Sequence, residues 1–149
     1  MASLKNELLS RKNLYVLHST GADGFEETER ALALTPEEAK RYRVQSYIDN
    51  MGDMLAAADL VLSRSGASSV AEIAALAVPS VLVPYPHATA DHQTTNARYL
   101  VDADGFAFAD ELLHLVDDAA ARDAMRQAAR GLAQDRAAAL LADAVEGLR

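Results

Sequence analysis

Short apolar runs alternate with helical stretches along most of this chain. Asn13–His18 (NLYVLH) has the pattern of a strand, the turn STGADG follows, and FEETERAL reads as a short helix. Thr35-Pro36-Glu37-Glu38 is a helix-start signal, with Thr as cap and Pro in the first helical position. Arg43–Ile48 (RVQSYI) is the next strand and Met51–Ala58 the next helix. Asp59–Leu62 (DLVL) and Ser80–Val83 (SVLV) are brief and apolar on both faces, as strands of a buried parallel sheet should be. A helix over roughly residues 91–101 leads to a weak fifth strand, Gly105–Ala109. From about Asp110 to residue 149 the pattern is helical, with Gly131 expected to divide the run.

Alternation of this kind with short connections predicts an α/β domain: a doubly wound parallel sheet with helices on both faces, spanning residues 1–149 as one domain. Ligands of such sheets bind beyond the carboxyl ends of the strands, where loops meet helix N-termini. Three loops fall there: Tyr47–Asp53, Ser63–Ser69 and Pro84–Gln93.

Composition narrows the ligand. The chain carries 14 Lys+Arg against 22 Asp+Glu, a net charge of −8, and shows no clustered basic stretch, so nucleic acid is not an expected partner. A phosphate would have to be held locally, by backbone N–H groups and one or two basic side chains. The absence of cysteine excludes disulfides and thiolate metal sites and makes a cytoplasmic setting natural. MASLKNELLSRKN is a polar amphipathic segment rather than a signal peptide. The most apolar region, 73–86, is interrupted by prolines and is shorter than the roughly 20 residues a membrane span needs, so no span is expected.

The three loops differ in chemistry. In RSGASSVAEIAA (64–75), Ser65, Ser68 or Ser69 has the residue type for a helix cap and Gly66 permits a tight turn. The same geometry presents N–H groups at the positive end of a helix, suited to a phosphate, with Arg64 alongside. Local physics leans towards the plain cap. Ser69 and Glu72 have capping-box spacing, whereas a carboxylate at the rim could also accept hydrogen bonds from a ribose diol. In PYPHATADHQTTNA (84–97), His87, Asp91 and His92 lack the i, i+4 spacing of a helical zinc site, and no metal is expected. Gln93 and Asn96 share a helix face, and their amides suit sugar hydroxyls; a solvated helix start is the plainer reading. Tyr47-Ile48-Asp49-Asn50-Met51 offers either a ledge for a flat base or an ordinary core closure.

Taken together, YIDNM, ADLVLSRSGASSVAEIAALAVPSVLVPYPHATADHQTTNA and YLVDADGFAF closely resemble the nucleotide-sugar-binding half of the peptidoglycan N-acetylglucosaminyltransferase (MurG) family. Members transfer GlcNAc from UDP-GlcNAc to undecaprenyl-pyrophosphoryl-MurNAc-pentapeptide (lipid I), giving lipid II. The resemblance implies the Rossmann-like C-terminal half of a GT-B fold and a hexosyltransferase. It places the uracil against the backbone at Ile48, with Tyr47 and Met51 near. Arg64, Ser65, Gly66, Ala67, Ser68 and Ser69 would surround the diphosphate. Glu72 would hold the ribose and Gln93 the GlcNAc hydroxyls, with His92 and Asn96 adjacent. It also implies inverting transfer with no cofactor or metal, in a full-length protein peripheral on the cytoplasmic membrane face.

The family's acceptor domain and its proposed catalytic base have no counterpart here, nor do the first strand and GGSxGA loop of the donor domain. The chain is therefore expected to be a fragment or truncated product that binds donor but does not catalyse transfer alone, with no catalytic residue of its own. An exposed sheet edge would allow self-association. The alternative is a non-catalytic UDP-GlcNAc-binding subunit of a split two-chain transferase. A UDP-sugar 2-epimerase or antibiotic glycosyltransferase would share the fold, but the wording of 64–97 argues against either.

Overall fold

The computed structural model describes residues 2–83 and 108–131. The chain divides into two compact units, Met1–Met51 and Gly52–Arg149.

The first unit contains a 3-10 turn (Ala2–Leu4), α1 (Lys5–Ser10), β1 (Val16–Ser19), α2 (Phe25–Leu32), a second 3-10 turn (Glu38–Lys40) and β2 (Tyr42–Gln45). β1 and β2 are parallel, in register from Val16↔Tyr42 to Ser19↔Gln45. Parallel neighbours need a crossover, and α2 is that crossover. Val16 and His18 share a face with the buried Tyr42 and half-buried Val44; Leu17, Ser19, Arg43 and Gln45 lie on the opposite, exposed face.

The N-terminal segment, polar as a sequence, is an integral element. Leu4 and Leu8 are buried, and the Arg41 guanidinium donates to Leu9 O (2.9 Å) and Arg11 O (2.7 Å). A cation on the last carbonyls of α1 satisfies groups the helix cannot pair itself. Lys5 adds an ion pair to Glu38 (3.3 Å).

Where a helix was expected to start at Thr35 the chain forms only a three-residue 3-10 turn, Glu38–Lys40, with Pro36 ahead of it. Thr35 N donates to Glu38 Oε2 (2.8 Å) while Glu38 N donates to Thr35 Oγ1 (3.3 Å), the reciprocal bonds of a capping box. The bond from the Thr35 backbone foremost, with the Lys5 ammonium beside it, holds the Glu38 carboxyl below its ordinary pKa.

Tyr42 is fully buried, its hydroxyl 3.2 Å from His18 Nδ1 and its ring edge-on to the imidazole. Burial lowers the His18 pKa from its usual 6.5. The folded chain therefore binds this proton less readily than the unfolded chain, so stability rises with pH through this group. It is fully present above about pH 6.5 and is lost as pH falls towards the depressed folded value. Urea midpoints should fall between pH 7.5 and 5.5, and His18→Gln should flatten that dependence. An unchanged slope in the variant would assign it elsewhere.

The second unit contains α3 (Met51–Ala57), β3 (Val61–Arg64), α4 (Ala67–Ala75), β4 (Ser80–Val83), α5 (Phe108–Asp117) and a sixth helix over 119–131. β3 and β4 are parallel, from Val61↔Ser80 to Arg64↔Val83, with α4 as their crossover. Leu55, Ile73, Val78 and Leu82 form its core, with Ala58, Val61 and Val70 against them. α4 ends where Ala77 takes a left-handed conformation (φ 50°) and Val78 N donates to Ile73 O (3.2 Å), the six-to-one bond of a Schellman ending.

Several boundaries differ from the sequence reading. The strand expected over Asn13–His18 is Val16–Ser19, and the one expected over Arg43–Ile48 is Tyr42–Gln45, which leaves Tyr47 and Ile48 in the loop beyond it. β3 runs to Arg64, two residues beyond the expected Leu62. Phe108 and Ala109 open α5 instead of closing a strand, since Leu112 and Leu115 at helical spacing are both buried. The C-terminal helices divide at Asp118, whose Oδ1 accepts from Ala121 N (2.9 Å). Arg122 Nη1 donates back to Leu115 O (2.6 Å) and Val116 O (2.9 Å), closing α5. The expected helix over 91–101 and the run 132–149 lie outside the described residues.

Candidate functional site

In the second unit the carboxyl end of β3 turns directly into α4. Ser65 N donates to Val83 O (3.4 Å), one step past the last rung of the β3–β4 ladder, and Ser65 is fully buried. Gly66 is extended (φ −66°, ψ 147°) and is the N-cap of α4. The first helical bond runs from Val70 N to Gly66 O (2.9 Å).

This geometry decides between the readings of RSGASS. The N-cap is Gly66, which has no side chain with which to cap. Ser68 and Ser69 are the second and third residues inside the helix, so neither is its N-cap. Ser69 and Glu72 cannot form a capping box for the same reason. The N–H groups of Ala67, Ser68 and Ser69 have no acceptor within the helix and sit at its positive end, beside small side chains that allow close approach. Such an end can hold a phosphate.

Glu72 lies four residues after Ser68, and both are exposed on one face of α4. Side chains lean towards the N-terminus of their helix, so the Glu72 carboxylate projects back along that face towards Ser68. The opposite face carries Ile73, which is buried in the core and seats the helix. Arg64 is the last, exposed residue of β3, adjacent in sequence to the turn.

In the first unit the loop after β2 carries the remaining described candidates. Tyr47 is 73% exposed, Met51 is exposed and Ile48 is half-buried. An exposed aromatic beside free-running backbone fits a ledge better than a core closure. Arg64 to Glu72 are thus brought together on one strand–turn–helix, and Tyr47 and Ile48 on one loop that ends where Met51 opens α3. His92, Gln93 and Asn96 lie outside the described residues. Among the described residues no group of three or more His, Cys, Asp or Glu is placed to hold a metal ion. Among them also, no helix is long and apolar enough to cross a membrane.

The turn Thr20–Gly24 carried no assignment in the sequence. It lies at the same sheet edge as the Tyr47 loop, because β1 and β2 run in parallel. Its two glycines were the signal available.

Comparison with known proteins identifies the family of the chain. The model of the glycosyltransferase family 28 C-terminal domain matches residues 1–145. A protein of Nitratidesulfovibrio vulgaris (strain DP4), named UDP-N-acetylglucosamine–N-acetylmuramyl-(pentapeptide) pyrophosphoryl-undecaprenol N-acetylglucosamine transferase, is 39% identical over 146 residues, covering 91% of this chain and 40% of that protein. A protein of the same name from Leuconostoc mesenteroides is 45% identical over 94 residues, covering 63% of this chain and 25% of its own length. The crystal structure of Acinetobacter baumannii MurG superposes with a TM-score of 0.70 at 26% identity, covering 97% of this chain and 48% of that one. The chain thus spans less than half the length of these relatives.

Proposed function

The chain belongs to the glycosyltransferase family 28 C-terminal domains, and from that premise we propose that it is the donor-binding part of a peptidoglycan N-acetylglucosaminyltransferase, holding UDP-GlcNAc. The observation that carries this reading is the start of α4 at Gly66, which has no side-chain cap, so that a strand end and small residues meet three N–H groups without a partner in the helix. The diphosphate lies against Ala67, Ser68 and Ser69 with Arg64 and Ser65 around it. Glu72 accepts hydrogen bonds from the ribose diol, and the uracil rests at Tyr47, Ile48 and Met51. Gln93 holds the GlcNAc hydroxyls, with His92 and Asn96 beside it.

In inverting transfer the bond from the anomeric carbon to the diphosphate breaks as the acceptor hydroxyl bonds to that carbon, and negative charge grows on the departing UDP. Fixed N–H dipoles at a helix N-terminus stabilise that charge without reorganising, which is the part these residues play. The acceptor, lipid I, and the base that takes its proton belong to sequence that these 149 residues do not match in the longer relatives. Cytoplasmic, membrane-peripheral placement of the whole enzyme follows from that acceptor. The chain alone is expected to bind donor without turnover.

Calorimetry with UDP and UDP-GlcNAc tests the site. Glu72→Ala should weaken UDP binding by about 1–3 kcal/mol, because the two ribose hydroxyls lose their charged acceptor. An unchanged affinity would reduce Glu72 to an exposed helix residue. Turnover of a lipid I analogue by the isolated chain would overturn the division of labour.

A further inference from the structure

The Thr20–Gly24 turn joins β1 to α2 and has no role in the site as drawn above. It is tied to the one segment on which base recognition depends. Thr20 N donates to Gln45 O at 3.0 Å, one step past the last strand pair, Ser19↔Gln45. The Thr20 hydroxyl donates to Gly21 O at 2.9 Å and lies 3.4 Å from the same Gln45 O. Gln45 is the last residue of β2, two positions before Tyr47 and three before Ile48.

The turn is itself held tightly. Gly21 takes a left-handed conformation (φ 75°) that reverses the chain, a conformation costly for other residues. A Cβ on Gly24 would lie 3.0 Å from Thr20 O, a backbone atom that cannot swing away. Gly24 O accepts from Thr28 N (3.0 Å), which locks the turn to α2. The two ends of the turn are therefore tied by hydrogen bonds, Gly24 to α2 and Thr20 to the exit of β2. Beyond that exit Ser46, Tyr47, Asp49 and Asn50 are all exposed and bring little packing of their own. Where β2 releases the chain sets where the ledge lies.

We propose that the Thr20–Gly24 turn positions the nucleobase ledge, making Thr20 and Gly24 positioning residues that determine which base is accepted. The inference rests on the reading that Tyr47 and Ile48 receive the base. Discriminating uracil from cytosine needs backbone donors and acceptors held within about 0.5 Å, since the two bases differ only in the hydrogen-bonding character of one edge. An exposed loop reaches that precision only through its anchor.

Calorimetry on the whole chain with UDP and with CDP supplies the test. Wild type should prefer UDP. Thr20→Val, which keeps the side-chain shape and removes the hydroxyl, should narrow the UDP-to-CDP ratio by about fivefold, the worth of one hydrogen bond. Thr20→Ser should restore the ratio, and Gly24→Ala, which displaces the Thr20 carbonyl, should narrow it as well. Glu72→Ala should weaken both nucleotides equally and leave the ratio alone. If Gly24→Ala does not fold, Thr20→Val decides. Equal weakening of UDP and CDP by Thr20→Val, an unchanged ratio, or no wild-type preference would overturn the positioning role while leaving the donor site standing. Failure of wild type to bind UDP at all would overturn both.

Discussion

Ser68→Asp should weaken donor binding by about a hundredfold while leaving the fold slightly more stable. Ser68 is the second residue of α4 and is exposed, so a carboxylate fits there without steric conflict. Placed about 5 Å from a bound diphosphate, one added negative charge costs about 3 kcal/mol at an effective dielectric near 20. That is on the order of a hundredfold in affinity. The same charge at the start of a helix interacts favourably with the macrodipole and should add about 0.3–1 kcal/mol to stability. The two effects have opposite signs, which separates a blocked anion site from a damaged fold. Calorimetry with UDP, paired with urea unfolding, reads both. Undiminished UDP affinity in a stabilised variant would remove the diphosphate from the start of α4.

The second large effect concerns what holds that helix in place. Ile73→Ala should destabilise the chain by about 2–5 kcal/mol, the usual range for emptying a buried aliphatic site. Ile73 is 2% exposed and packs with Leu55, Val78 and Leu82, so its side chain joins α4 to α3 and β4. Alanine is the better helix former, so the loss comes from packing and not from helix propensity. Against a typical total of about 5–15 kcal/mol, such a change is a large fraction of the stability. UDP affinity, measured where the variant remains folded, should change far less than under Ser68→Asp. A loss below about 1 kcal/mol in urea unfolding would mean that α4 is seated by other contacts.

The sequence carries two instances of one cap signal, and they behave differently. Thr35-x-x-Glu38 forms the reciprocal bonds its spacing predicts. Ser69-x-x-Glu72 has the same spacing and forms no cap, because α4 has already begun at Ala67. What differs is the element upstream. β3 continues to Arg64 because it is in register with β4, where Arg64 lies opposite Val83. The two residues lie 19 positions apart in the chain, and a local pattern carries no information about their pairing. Extending β3 by two residues changes Ser65–Ser69 from a loop with several possible caps into a short turn on a glycine.

Much was nevertheless legible. The bounds of β4, Ser80–Val83, follow from a short apolar run between Pro79 and Pro84, and α2 coincides with FEETERAL. The placement of the Tyr47 and Gly66 loops at carboxyl ends of strands follows from strand–helix alternation alone. The strand expected over Gly105–Ala109 failed at its described end, where Phe108 and Ala109 join the helical periodicity of Leu112 and Leu115.

Periodicity and residue type by themselves determined the class of fold, the loops at the carboxyl ends of the strands, and the small residues at the start of α4. These are short-range properties, written in the spacing of apolar positions and in side-chain size. Tertiary structure alone decided that Gly66 and not a serine begins α4, that Ser68 and Glu72 share an open face, and that Thr20 grips the end of β2. Each depends on hydrogen bonds or packing between segments far apart in the chain, whose energies exist only once the strands have paired.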